Sequence, residues 1–244
     1  MTAVISTFEV CRYFGDDQET MVKAVDRVSI EIERGEFTAI VGPSGSGKTT
    51  LLHLLGGLDN PTSGSVELSG TNIADMSGAT LSDFRRDHIG FIFQSYNLIP
   101  VFSAEENIEY IMLLQGVDAS ERKRRVADML QQVGLEGLGN RRPNKLSGGQ
   151  QQQLAIGRAL VGEPRVLLLD EPTEGIQPNV IQAIGQVLLR LVKEKEMTVV
   201  LVEQYVDFIK EFGDHFYIMN RGRVVANGDT PQLSEAIVRQ HLSV

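Results

Sequence analysis

The sequence predicts an α/β fold around a mostly parallel central sheet. Three observations carry that prediction. The short runs "EFTAIVG", "VLLLD" and "TVVLVE" are apolar and β-branched or leucine-rich, like strands buried on both faces. Segments with helical apolar spacing separate them. A glycine-rich turn leads directly from the first of these strands into a helix. With 244 residues, 42% of them hydrophobic, the chain can bury a large core without a disulfide or a metal. A single domain, residues 1–244, is expected.

In chain order, Val25 to Ile32 ("VDRVSIEI") and Glu36 to Gly42 read as strands joined by the turn residues Arg34 and Gly35. "KTTLLHLLGGL" then reads as a helix leaving the glycine-rich turn. From Ser103 the pattern changes: "SAEENIEYIMLLQGV" opens with a Ser-x-x-Glu capping box, and "ERKRRVADMLQQVG" follows as a second amphipathic helix. With Asp118 and Glu121 beside it, the basic run reads as a solvated face rather than a binding patch. Asn97 to Leu146 is therefore a helical insert. It leaves residues 1–96 and 147–244 as the core and 97–146 as a helical subdomain. Beyond it "VLLLD" and "TVVLVE" return to the sheet, with helices around Val180 to Lys195 and Val206 to Gly213, and "FYIMNRGRVVANG" closes as a hairpin.

Composition removes several function classes. A lone cysteine, Cys11, excludes an internal disulfide framework, and the amino terminus lacks the layout of a secretory signal, so a reducing cytosol is expected. No apolar run reaches about 18 residues, so any role at a membrane passes through a partner. A net charge of −9 gives no chain-wide attraction to nucleic-acid phosphates, and no nucleic-acid partner is expected.

The chemistry begins at "GPSGSGKT", Gly42 to Thr49, which fits G-x-x-x-x-G-K-[ST] between a buried strand and a helix. Such glycines let successive N–H groups point inward while the helix start adds its positive end. Lys48 then reaches the β- and γ-phosphates, and the Thr49 hydroxyl ligates Mg²⁺. Asp170 ends an apolar strand and would hold the same ion through water, and Glu171 is placed to polarise an attacking water. In "LSGGQQQQLAIGRAL", Ser147, Gly148 and Gly149 precede a helix and offer a second anion-binding start, which suggests two chains sharing each nucleotide.

With these motifs in this order, the chain resembles the ATP-binding cassette of ABC transporters over nearly its whole length. The resemblance rests on Gly42 to Thr49, Gln94 in "FIFQSYNLIP", Leu146 to Gln150, and Asp170 with Glu171. It implies a P-loop NTPase core carrying an antiparallel β subdomain and a helical signalling subdomain, with ATP and Mg²⁺ as cofactors. It also implies a head-to-tail homodimer with ATP between the phosphate loop of one copy and the signature of the other. The nucleotide contacts carried over are Gly42, Pro43, Ser44, Gly45, Ser46, Gly47, Lys48, Thr49 and Thr50, with Ser147, Gly148, Gly149 and Gln150 across the dimer. Tyr13 in "CRYFG" is the match for an adenine-stacking aromatic, and Gln94, with Thr49 and Asp170, for a Mg²⁺ contact.

The resemblance changes along the chain. To about Gln150 it looks like lipoprotein-release and macrolide-export cassettes; beyond, it looks like urea and branched-chain amino-acid importers. That mosaic is open to natural recombination, fusion or design. With the rear half come Gln177, where most cassettes place Asp, and Gln204, where most place the His that contacts the γ-phosphate. An amide can donate a hydrogen bond there but cannot titrate. Three function classes follow. The first is a motor subunit that hydrolyses ATP for a separate membrane protein, peripheral on the cytoplasmic face and docked through the segment Gln94 to about Gly134, with Tyr96, Leu98, Ile99 and Phe102 as its apolar contacts and an exporter-like partner expected. The others are a soluble cassette of DNA repair or translation, and a soluble or engineered cassette that binds nucleotide without a membrane partner.

Overall fold

The computed structural model describes residues 3–15, 17 and 20–241. Its strands form two sheets. The first is antiparallel and contains β1 (Ala3–Phe14), β2 (Val22–Val28), β3 (Glu31–Glu33), and, later in the chain, β5 (Ser63–Leu68) and β6 (Thr71–Asn72). The second is the central sheet, in the order β11-β10-β4-β9-β8-β7, where β4 is Phe37–Val41, β7 Ile89–Ile92, β8 Val166–Asp170, β9 Thr198–Val202, β10 His215–Asn220 and β11 Arg223–Asp229. Every neighbouring pair is parallel except β10 with β11, the expected terminal hairpin.

Helix α1 (Lys48–Leu55) leaves the glycine-rich turn, and α2 (Gly78–His88) precedes β7. The insert supplies α3 (Ala104–Leu114) and α4 (Ala119–Gln132); α5 (Gly148–Leu160), α6 (Pro178–Lys195), α7 (Val206–Phe212) and α8 (Glu235–His241) follow. The central strands are buried on both faces and sort their side chains by period two. Leu167, Leu169, Val199 and Leu201 face a cluster built on α3, α5 and α6, whereas Val166, Leu168, Val200 and Val202 face α1 and the antiparallel sheet. Burying Leu51, Leu52, Leu54 and Leu55 anchors α1, at about 1.5–3 kcal/mol for each side chain.

Two expectations are corrected. Val25 to Ile32 is not one strand. The Thr7 hydroxyl of β1 donates to the Val28 carbonyl (3.0 Å) and accepts from the Ile30 N–H (3.0 Å), which splits the segment into β2 and β3. Nor is the whole basic run of α4 a solvated face. Arg124 is exposed and pairs with Glu121 and Asp128, but Arg122 reaches Glu109 (2.8 Å) on α3, and Arg125 donates to the carbonyl of Val161 at the end of α5. The run therefore ties helices together.

Candidate functional site

Register places the site. Ile40 of β4 pairs with Val202 of β9, and Val202 pairs with Asp170 of β8, so three parallel strands end side by side. Ligands of open α/β sheets gather beyond such ends. The glycine loop leaves β4 there, Glu203 and Gln204 leave β9, Glu171 leaves β8, and Gln94 lies two residues past β7.

The loop is shaped by exclusion. Gly47, at φ 101°, caps α1, and a Cβ on it would lie 2.0 Å from the Ala24 carbonyl oxygen of β2. A Cβ on Gly42 would lie 2.2 Å from the Met219 carbonyl oxygen. Gly222, in the β10–β11 turn, completes the wall through its N–H to the Ser46 carbonyl (2.9 Å). Inside it, the buried Lys48 ammonium donates to the carbonyls of Gly42 (2.9 Å) and Pro43 (3.1 Å). Burial pulls its pKa below the ordinary lysine value, against the opposing pull of Glu171, Asp170 and Glu203. Ser46 is buried with its hydroxyl unpartnered, whereas Ser44, Gly45 and Thr49 are exposed and Pro43 and Thr50 half-buried.

Thr49 and Asp170 meet: the threonine Oγ1 donates to Asp170 Oδ1 at 3.1 Å. Burial pushes the Asp170 carboxyl up, with the Thr49 hydrogen bond and the nearby His53 and Lys48 opposing it. One carboxylate beside one hydroxyl at a phosphate loop suits a hard, oxygen-seeking cation that draws its other ligands from phosphate and water. Among the described residues no cluster of three or more His, Cys, Asp or Glu side chains could hold a metal without such help.

Glu171 sits in the left-handed region at φ 45°, an unusual conformation for a non-glycine residue. Its Oε1 accepts from Gln204 Nε2 at 2.8 Å, so the two residues with candidate roles in turnover touch each other. Gln94 is exposed and donates to Glu174, not to Thr49 or Asp170. Gln177 caps α6 through its backbone only, without the side-chain bond that an aspartate can make. At the start of α5, Ser147 and Gln150 form a reciprocal capping box (3.0 and 3.3 Å), while Gly148 is exposed and Gly149 half-buried. No hydrogen bond joins this start to the glycine loop among the described residues.

Tyr13 is half-buried near the end of β1. Its hydroxyl donates to Asp26 (2.7 Å), which pairs with Arg223 (2.6 Å), and Lys23 lies over its ring. The neighbouring Phe14 is 43% exposed, with the Arg12 guanidinium 4.6 Å over its ring. The apolar docking residues read from sequence are half-buried: Tyr96, Leu98, Ile99 and Phe102 fold inward, while Val101, Leu113, Leu114 and Leu58 are the exposed ones. Two residues escaped sequence reasoning. Arg158 of α5 donates to the carbonyls of Tyr96 (3.0 Å) and Asn97 (2.6 Å), holding a turn in which both have positive φ. Glu203 is a buried carboxylate just past β9. Its only signal in the sequence was an acid at the end of an apolar run.

The family profile described as ABC transporter matches residues 25–174, more than half of the chain. The chain belongs to the ABC transporter family. The cassette is 41% identical over 213 residues to the methionine import ATP-binding protein MetN of Corynebacterium diphtheriae, an alignment covering 87% of this chain and 62% of that protein. It therefore spans less than two thirds of that relative's length. It is 44% identical over 211 residues to an uncharacterized ABC transporter ATP-binding protein of Thermotoga maritima, 86% of this chain and 89% of that one. With 47% identity over 170 residues it matches the macrolide export ATP-binding/permease protein MacB of Hyphomonas neptunium, 70% of this chain and 26% of that one. Its fold is similar to the dimeric ATP-binding cassette MJ0796 bound to ADP and Pi, at TM-score 0.87 and 35% identity, covering 93% of this chain and 98% of that chain. An alignment of 213 residues in a chain of 244 runs across Gln150, so the similarity to MetN extends to both sides of that position.

Proposed function

We propose that the cassette binds ATP with a divalent cation and hydrolyses it between two copies of itself, driving a separate membrane subunit. The observation that carries this reading is the row of strand ends, which brings Lys48, the Thr49–Asp170 pair and the Glu171–Gln204 pair to one edge of the sheet. Lys48 holds the terminal phosphates once they displace the Gly42 and Pro43 carbonyls from its ammonium. Thr49 and Asp170, with Gln94, hold Mg²⁺, which supplies charge neutralisation at the phosphates. Glu171 orients the water, and Gln204, whose amide nitrogen carries two N–H groups, donates one to the γ-phosphate while the other stays on Glu171. Exposure of Ser147 and Gly148 leaves the signature free for the nucleotide of a second copy. We assign adenine stacking to Tyr13: its hydroxyl bond to Asp26 is made at the ring edge and fixes the ring, whereas the Arg12 guanidinium lies 4.6 Å over the Phe14 ring.

The membrane partner docks between the core and the helical subdomain. Leu58, Phe91, Phe93, Ile111 and Leu114 line a groove there, with Arg158 at its edge. Leu58 to Leu114 of this lining lie in the part that resembles exporters, while Arg158, Ala159, Gly162 and Pro164 come from the rear part; on the larger share, the partner is of exporter type and the cassette sits on the cytoplasmic face of its membrane. No helix among the described residues is long and apolar enough to cross one. The decisive experiment is phosphate release from ATP with size analysis of the Glu171→Gln variant: a dimer that forms only with ATP supports the reading, and an unchanged rate or an ATP-independent size overturns it. Capture of only an importer-type membrane subunit would overturn the docking assignment.

A further inference from the structure

Glu203 follows the last residue of β9 and is only 4% exposed, yet it carries a carboxyl group where the aliphatic core ends. Four donors face its two oxygens. Oε1 accepts from the Thr173 N–H (3.1 Å) and from the Thr173 hydroxyl; Oε2 accepts from the N–H groups of Gln204 (2.7 Å) and Tyr205 (3.1 Å). Thr173 lies two residues beyond Glu171, and the Gln204 amide donates to Glu171 at 2.8 Å. These bonds close a ring that runs from Glu171 through Thr173, Glu203 and Gln204 back to Glu171.

We propose that Glu203 is a positioning residue for hydrolysis, one that fixes the Gln204 amide against the Glu171 carboxylate by bracing the β9 end to the β8 turn. The proposal rests on the reading of Glu171 as the water-orienting acid. A buried carboxylate persists when donors satisfy it, and here they belong to two chain segments thirty residues apart. Simple capping of α7 does not account for this. One oxygen suffices for the N–H groups of Gln204 and Tyr205, yet the other reaches across to Thr173. Gln204 itself is exposed, and its backbone is held on this side by Glu203. Without that acceptor the amide is free to leave Glu171 while the phosphate loop, braced separately against Ala24 and Met219, keeps its shape.

Glu203→Gln tests this, because its amide NH₂ group would face N–H donors on one side of the ring. We expect kcat for ATP to fall roughly ten- to a hundredfold while KM and ATP affinity stay within about threefold. Adding Gln204→Ala to that variant should cost less than about threefold more, because residues acting as a unit are non-additive. Multiplicative losses in the double variant, wild-type turnover in Glu203→Gln, or a Gln204→Ala variant at full rate would each overturn the proposal. If Glu203→Gln does not fold, Thr173→Val removes one bond of the ring with little change of shape, and the same cycle with Gln204→Ala decides. A wild-type chain that neither binds nor hydrolyses ATP would remove the ATPase reading and this proposal with it. Activity with additive losses would remove only the latter.

Discussion

The glycine loop and the carboxylate turn lie at neighbouring strand ends, yet different forces shape them. Residues 42–48 have nowhere else to go: the carbonyl oxygens of Ala24 and Met219 occupy the space that side chains on Gly47 and Gly42 would need. Residues 170–177 are held by side chains instead. Gln204 engages Glu171, Glu203 engages Thr173, and Gln94 engages Glu174. Backbone walls give one fixed shape, suited to a phosphate that must be held. Side-chain bonds can exchange partners, suited to a group that must rearrange during turnover. Binding and hydrolysis should therefore separate under mutation.

The largest effect should come from the exchangeable side. Glu171→Gln removes the carboxylate proposed to orient water while leaving Lys48 and the loop intact, and should lower turnover roughly a thousandfold with ATP binding retained. Single-turnover phosphate release alongside equilibrium ATP binding checks this; parallel losses in both would erase the distinction between the two regions. Lys48→Ala should do the reverse. It removes the cation at the loop, so ATP affinity should weaken about a hundredfold, the effect of truncating one partner of a desolvated charge pair. Titration calorimetry with ATP reads it directly, and an unchanged affinity would end the loop's assignment as a phosphate site.

The same contrast sets what could be read from the sequence. The central strands and the glycine loop were legible because local pattern and tertiary role agree: both faces of β8 and β9 are buried, and each glycine answers a backbone need. β1 went unread because Phe8, 70% exposed, breaks the alternation a half-buried strand should show. α2 went unread because it buries a single residue, Leu81, leaving no periodic signal. Within the site, residue types were legible and partners were not. The Tyr13 hydroxyl meeting Asp26, thirteen residues away in sequence, and the Arg12 guanidinium lying over the Phe14 ring were partners that no local pattern announced. Gln204 meeting Glu171 depends on register between β8 and β9.

Two alanines sharpen the account of the loop. Gly47→Ala carries a left-handed penalty of about 1–2 kcal/mol and must also displace β2 or the loop, an overpacking of roughly 1–3 kcal/mol more, so melting should fall by about 4–20 °C and ATP affinity at least about tenfold. Gly45 has φ 74° with nothing within 4 Å of an added Cβ, so Gly45→Ala carries only the left-handed penalty of about 1–2 kcal/mol. Its melting temperature should fall less, with affinity nearly unchanged. Equal losses at the two positions would mean that conformation, not the wall, shapes the loop.

The smallest effect concerns the wall itself. Asp26 of β2 accepts from Tyr13 and from Arg223 of β11, so it fastens the antiparallel sheet to the central one directly behind Ala24. Those bonds, the tyrosine's first, hold its carboxyl below the ordinary value. A group depressed in the folded state adds stability that is present above its unfolded pKa of about 3.9 and disappears as pH falls through the folded value. Asp26→Asn should thus lower the melting temperature by about 2–5 °C near pH 7, with a gap that holds down to about pH 5 and narrows below about pH 4. Denaturant midpoints for the two proteins across that range measure the gap. Because the proposed phosphate contacts lie on the loop and not on Asp26, ATP affinity should change little. A gap independent of pH would show that Asp26 acts through shape alone, and a large loss of affinity would show that the wall and the phosphate loop are one unit rather than support and site.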